Sequence, residues 1–429
     1  MPINDAMTTG RARIWLNPAR WDLRALLSVP SAQTLAALTV CAATLFNFVL
    51  ATVNANFFSL TRGNIILAEV AIVGTAAVIC MRSFNRMMIP WALVLWLLQL
   101  ILVLISMGHQ EIFPKIYRDA LIIPIFVALG IVYANGNVVR IFVVLQAIVL
   151  GVMLFEAISP VGYGSIFNPW DYYVQTRGFE GDAPWHGAAL FQSAVRPDGR
   201  YLLGWLDIHR LSSLFLEPVS LGNWCIVITI FIVSLWNSMT FRERIFMVLS
   251  NVALLIGSDG RLALATIALI VVIVPFARLL PRYVYVLYLP IAVIVAVTLS
   301  NTFEFDPLHD DFPGRIAKSI EMLETMDFMT LLGLDHTMLD RAADSGISYV
   351  IITQSIFGLI VLWCAICFLQ MQNTRRAIVF MHSLCIFISF ILMISEALFT
   401  IKTAAVLWFL YGYISARGHL DRLPARPAA

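Results

Sequence analysis

Twelve apolar runs set the terms for this chain, at about 33–53, 64–80, 88–107, 119–134, 138–158, 218–237, 244–257, 262–279, 283–300, 346–369, 377–394 and 398–415. A helix needs about 20 mostly apolar residues to cross the hydrocarbon core of a bilayer. Most of the runs approach that length, and 244–257 is the short one. Composition points the same way. Of 429 residues, 60% are hydrophobic and only 13% charged, about half the charge of an ordinary soluble domain. So little charge cannot coat a soluble globule of this size. That excludes a soluble enzyme, a disordered chain and a nucleic-acid binder that grips through a basic surface. The sequence predicts an all-α polytopic membrane protein.

Charge placement tests the count. With the N-terminus cytoplasmic, the inner loops carry Arg82, Arg86, Arg140, Arg242, Arg244, Arg278, Arg282, Arg375 and Arg376 against one acid, Glu243. Arg417, Arg422 and Arg426 follow in the tail. Arginine in every alternate loop is the positive-inside pattern, and one miscounted span would break it. The expected organisation is a cytoplasmic segment 1–32, a transmembrane domain 33–416 and a cytoplasmic tail 417–429. No cleavable signal peptide is expected, because Arg11, Arg13, Arg20 and Arg24 precede the first apolar run and Pro18 and Pro30 interrupt them.

Two long connections, 159–217 and 301–345, then fall on the outer side, with the turn Gly257-Ser258-Asp259-Gly260-Arg261 between them. Long loops in compact proteins usually carry function. In the first, Pro197-Asp198-Gly199 reads as a small hairpin. Its many aromatics, among them Tyr163, Trp170, Tyr172, Tyr173, Trp185 and Trp205, suit either sugar faces or an interfacial belt. In the second, Ile316, Ile320 and Leu323 follow Pro313-Gly314 at helical spacing, which predicts a short amphipathic helix on the membrane surface. The six cysteines all lie in apolar runs, so no disulfide framework is expected. Cys364 and Cys367 read as packing residues rather than a metal or redox pair.

The ionisable residues at the outer ends of the runs are the candidates for chemistry. Arg210 and Glu217 lie in "HRLSSLFLEPVSLGN", and Asp259 and Arg261 in "IGSDGRLALA". Arg315 opens the surface helix, and His336, Arg341 and Asp344 lie in "LGLDHTMLDRAADSGISYV". Glu69 is the only acid well inside a run. Charge near membrane depth usually faces a cavity or a partner. A guanidinium matches phosphate oxygens with a planar fork, so several arginines on one outer face suit a pyrophosphate; pairing with acids or headgroups is the alternative.

The stretches "HRLSSLFLEPVSLGN", "IGSDGRLALATIALIV" and "LLGLDHTMLDRAADSGISYVIITQSIFGLIVL" together resemble the recurring signatures of the bacterial O-antigen/exopolysaccharide polymerase and O-antigen ligase superfamily, the Wzy-type polymerases. The likeness covers about 60 residues directly. It departs from the family pattern in three places: Ser258-Asp259-Gly260-Arg261 replaces a Ser-Arg step, Gly333-Leu334-Asp335 replaces G-x-G, and Asp344 stands where ligase relatives more often carry His.

The resemblance implies a GT-C-like glycosyltransferase of the bacterial inner membrane with both termini cytoplasmic and a periplasmic site. It implies transfer of a glycan from a polyprenyl (undecaprenyl) diphosphate carrier to the hydroxyl of an acceptor repeat. A chain-length regulator and other polysaccharide-export proteins are implied partners, with no nucleic acid. Arg210 and Arg261 are expected to stabilise the departing diphosphate, supported by Arg315 and Arg341. Asp344, Glu217 and His336 are the candidate bases. No metal or other cofactor is expected, and His309, Asp310 and Asp311 read as a solvated loop. An O-antigen ligase of the same superfamily and a lipid-linked oligosaccharide flippase are the competing readings. The minimal middle loop at 238–243 and the scarcity of intramembrane acids count against a transporter.

Overall fold

The computed structural model describes residues 31–110, 113–178, 189–195, 199–206, 208–303, 305–307, 312–369 and 373–420. The N-terminal arginines, the expected hairpin at Pro197-Asp198, Trp185, the 309–311 loop and the tail beyond residue 420 lie outside the described residues. The described residues from Ala32 onward form one compact unit.

Each apolar run becomes a helix. In chain order these are α1 (Ala32–Asn56), α2 (Arg62–Arg82), α3 (Ile89–His109), α4 (Pro114–Val132) and α5 (Val138–Ile158). After the first long connection come α8 (Pro218–Leu235), α9 (Phe241–Ser258), α10 (Arg261–Ile273) and α11 (Val284–Phe303). After the second come α14 (Gly346–Phe368), α15 (Arg375–Leu392) and α16 (Ile401–Leu420). Eight are long and apolar enough to cross a membrane: Ala32–Asn56, Arg62–Arg82, Arg86–His109, Val138–Ile158, Pro218–Ser238, Val284–Phe303, Gly346–Phe368 and Arg375–Leu392. Large apolar side chains such as Leu93, Leu104, Leu249 and Ile294 stay exposed on the helix flanks, as lipid-facing residues do. The described residues contain no strand. This is the make-up of a multi-pass helical membrane protein. All six cysteines are free thiols.

The helix starts carry their own signals. Asn137 caps α5 by accepting from the Arg140 amide, and Thr374 caps α15 by accepting from Ala377. Thr240 and Glu243 form a reciprocal capping box on α9. Each satisfies amides that a helix start leaves open. The tightest packing joins α4 to α16: a Cβ on Gly130 or Gly412 would fall inside the facing backbone. Small residues let membrane helices approach this closely, and the approach brings Lys402, in the first turn of α16, toward the charged start of α4.

The long connections are largely ordered. The first holds α6 (Pro160–Phe167) and α7 (Pro169–Arg177), hinged at Asn168 with φ 38°. Asn54 donates to Asp171 at 2.8 Å and Asn56 to the Ile166 carbonyl at 2.7 Å, so both short helices sit against the end of α1. The second holds α12 (Phe312–Thr325), where Ile316 and Ile320 are buried, and α13 (Phe328–Leu331). The expected amphipathic helix is therefore present, with Ser319 bonded to the Met393 carbonyl at 2.6 Å.

These contacts gather both long connections, the 257–261 turn and the 393–400 connection at one end of the bundle. Leu211 donates to the Gly257 carbonyl there, and His109 lies 2.9 Å from the Gly333 carbonyl. At the other end, Arg376 reaches Ser238 at 3.0 Å. Charge alternation placed these same connections on a common side.

Candidate active site

Glu217 stands at the N-cap of α8, with Pro218 fixing the first helical turn. Its carboxylate accepts from Lys402 Nζ at 2.8 Å and Ser220 Oγ at 2.8 Å, and Arg177 Nη2 approaches to 2.6 Å. Lys402 also donates to the Phe215 carbonyl at 3.2 Å. Burial alone would push this carboxyl up; Arg177 and Lys402 outweigh it and hold Glu217 well below the usual carboxylate range. A carboxylate held so firmly ionised accepts a proton poorly. Glu217 works as an anchor between α7, α8 and α16.

A second charged group lies nearby. Arg118 pairs with Glu69 across α2 and α4 and bonds Asp119 Oδ1 through Nε at 2.9 Å and Nη2 at 2.5 Å. Tyr349 on α14 donates to Asp119 Oδ2 at 2.5 Å. Lys115 sits 3.1 Å from Glu396 and 4.8 Å from the centre of the Tyr349 ring. The charge of Glu69 also acts on Tyr172 and Lys402, which links this group to the Glu217 group.

Glu69 is thus not the only acid inside the helices. Asp119 in α4 and Glu156 in α5 are both buried. Asp119 sat at the edge of its apolar run and Glu156 in the last turn of its own, so hydropathy alone counted them as rim residues.

Glu156 organises the stretch that opens toward α8. It accepts from the amides of Ser212 at 2.9 Å and Ser213 at 2.6 Å and lies 3.2 Å from His209. Ser213 and Leu216 hold φ of 52° and 64°, a left-handed conformation unusual for such residues. Three bonds to one buried carboxylate, with Ser213 Oγ on the Val149 carbonyl, fix that shape.

Arg210 is almost fully buried, and its guanidinium donates to the carbonyls of Ser258 at 3.1 Å and Ser193 at 3.0 Å. It bolts the first long connection to the 257–261 turn. Arg200 assists by donating to the His209 carbonyl at 2.9 Å and to that of Ile256. Asp259 is fully buried and accepts from the amides of Tyr201 at 3.1 Å and Leu202 at 2.6 Å. Arg261, the first residue of α10, lies 5.8 Å from the Tyr201 ring centre and has no carboxylate partner among the described residues.

The remaining candidates divide into separate contacts. Asp344 accepts from Lys318 at 2.8 Å and lies 3.9 Å from Arg315, and its side chain is 41% exposed. Arg341 reaches Glu321 at 3.5 Å on an exposed surface. His336 stacks on His109 with ring centres 3.8 Å apart, and Phe113 packs edge-on against it.

The structure therefore brings Arg315 and Asp344 together, and sets Arg210 and Arg261 on either side of the Asp259 turn. Glu217, His336 and Arg341 each have other immediate neighbours. Sequence reasoning passed over Arg177, Lys402, Arg118, Lys318 and Tyr349. A signal existed for Lys402, a lone cation within "FTIKTAAVLW", since charge in an apolar helix ordinarily marks a partner.

Comparison with protein-family models, curated proteins and solved structures finds no match to this chain.

Proposed function

We propose that this protein is a polysaccharide polymerase of the bacterial inner membrane. In this reading all twelve helices span the bilayer in a GT-C-like arrangement, both termini are cytoplasmic and the end bearing the long connections is periplasmic. The enzyme transfers a glycan from a polyprenyl diphosphate carrier to the hydroxyl of an acceptor repeat.

One observation carries the reading. Among the described residues, every carboxylate inside the long helices except the capping Glu243 lies within about two turns of the end where both long connections meet. A transporter would instead place ionisable groups near the midplane, along a path. Charge gathered under a roof at one face suits a reaction performed at that face.

Roles follow from exposure and pairing. Arg261, with no acid beside it among the described residues, is the chief group for the departing diphosphate. Arg315 is its companion, and Arg341 a more exposed one. Arg210 holds the wall on which Arg261 stands. Asp344 is the accessible carboxylate and takes the proton of the acceptor hydroxyl, while His336 is the alternative base. The hydroxyl oxygen bonds to the anomeric carbon as the bond from that carbon to diphosphate breaks. The leaving diphosphate carries off the electron pair and meets arginine charge.

Deleting the gene tests the class of reaction. A polymerase deletion leaves single repeats on the lipid carrier and no long polymer. A ligase deletion leaves finished polymer unattached, and a flippase deletion traps repeats on the cytoplasmic leaflet. Normal polymer length and yield in the deletion strain would overturn the proposal.

A further inference from the structure

At the opposite end of the bundle, away from every residue discussed as catalytic, the ends of α8, α10, α15 and α16 enclose a cavity of about 370 Å³. That volume lies within the range of small-molecule sites, about 300–1,000 Å³. Its wall includes Arg375 and Arg376 and, among the described residues, no carboxylate. Arg376 donates to Ser238 Oγ at 3.0 Å, and neither arginine has an acid partner among the described residues. Among the described residues nothing neutralises this positive charge.

Two further features favour an anion. Arg375 and Arg376 open α15, and the Thr374 side chain caps only the Ala377 amide at 3.3 Å. The first two amides of an 18-residue helix therefore remain as donors beside the guanidinium groups, the arrangement that binds phosphate at helix starts. Ser234, 7% exposed, stands on the same wall, and its buried Oγ has no hydrogen-bond partner. A buried hydroxyl without a partner is destabilising, and an oxygen-rich ligand would relieve it.

The rest of the wall is apolar and lies between helix ends. Val274 from α10's end, Val379 from α15 and Ile414 from α16 face the cavity. A free phosphate ion has no use for such a surface, whereas glycerol and the first acyl carbons of a phospholipid do. We infer that this cavity binds the phosphate of an anionic phospholipid headgroup, held by Arg375, Arg376 and the first amides of α15.

The test uses the full-length protein, purified in detergent and exposed to equimolar phosphatidylglycerol and phosphatidylethanolamine, with bound lipid read by native mass spectrometry. Wild type should retain phosphatidylglycerol preferentially. An Arg375→Gln/Arg376→Gln variant should lose about thirtyfold in retention, each arginine contributing about fivefold. Arg82→Gln/Arg86→Gln, which removes two arginines elsewhere in the sequence, should change little. Ser234→Val removes a hydroxyl that no described protein group uses; it should weaken retention without lowering the melting temperature of lipid-free protein, which covers the case in which the double variant fails to fold. Equal retention by wild type and Arg375→Gln/Arg376→Gln, or no preference for phosphatidylglycerol, overturns the site. Stabilisation of wild type by inorganic phosphate as strongly as by phosphatidylglycerol would overturn the lipid assignment and leave a soluble phosphate as the ligand.

Discussion

Lys402 Nζ lies 2.8 Å from Glu217 Oε2, tying the first turn of the last helix to the residue that opens α8, 185 positions earlier. Lys402 is 2% exposed and Glu217 12%. Removing one partner of a buried pair leaves an uncompensated charge and costs about 3–5 kcal/mol. Arg177 remains beside Glu217, so Lys402→Met should fall toward the lower end of that range. Thermal unfolding in detergent reads the loss. Glu217→Gln combined with Lys402→Met should recover part of it, because the double variant buries neither charge.

The same pair fixes a pH dependence. The Glu217 carboxyl is held below its ordinary value in the folded protein by Arg177 and Lys402 against the opposing effect of burial. Its stabilisation is therefore present above the carboxyl value of the unfolded chain and fades as pH falls through the lower folded value. In Lys402→Met the folded value rises toward that of the unfolded chain, so the acid loss of stability should be smaller and complete at higher pH than in wild type, while its onset, set by the unfolded chain, stays put. Melting temperatures across mildly acidic buffers check this, and coincident acid limbs for the two proteins would contradict it.

Glu156→Gln is expected to damage the segment 209–216 before it damages anything else. One carboxylate receives the amides of Ser212 and Ser213 and faces His209, and a carboxamide offers a single acceptor oxygen. Hydrogen bonds to charged groups contribute about 1.5–3 kcal/mol, which is the expected loss. Protease susceptibility near residue 210 should rise in the variant; unchanged digestion and melting would show that the charge is dispensable.

The positions of the helices were legible because apolar length adds along a chain. Twelve apolar runs became helices at nearly the expected limits, and the arginine alternation matched which connections share an end. The amphipathic spacing of Ile316 and Ile320 likewise survived, since a helix lying on a bundle needs only one apolar face. The site was legible only in part. That Arg315 would meet Asp344 follows from tertiary approach of α12 to the start of α14, which no local pattern encodes. The burial of Arg210 on carbonyls of residues 193 and 258 is likewise a matter of three distant segments meeting. Lys402 was missed for a different reason, because one charge barely lowers the mean hydropathy of a long apolar window.

Labelling tests the orientation. Single cysteines in a variant lacking the native six should react with a membrane-impermeant maleimide in intact cells when placed within 170–205 or 312–340. They should react only after permeabilisation when placed at 240 or 375. Reaction of position 240 from outside would break the twelve-span arrangement and set the two ends of the bundle the wrong way round for the proposed reaction.

Arg261 and Arg210 separate catalysis from construction. Lysine keeps the charge of either residue and loses the planar fork. Arg261 has no acid partner among the described residues and stands at the mouth of a helix, so Arg261→Lys should leave protein level and melting unchanged. If Arg261 meets the departing diphosphate, that variant should lose about 10²–10³ in transfer rate, the usual loss on removing one preorganised charge-stabilising group. Arg210 donates to two carbonyls from separate segments. A lysine ammonium lacks the fork that spans both, so Arg210→Lys should lower stability and membrane level together with activity. Asp344→Asn should abolish transfer with donor binding kept, because Arg261 and Arg315 remain. Lipid-linked donor binding, polymer length and melting temperature, measured on each variant, tell these outcomes apart. Full activity in both Arg261→Lys and Asp344→Asn would remove the proposed chemistry from this face of the protein.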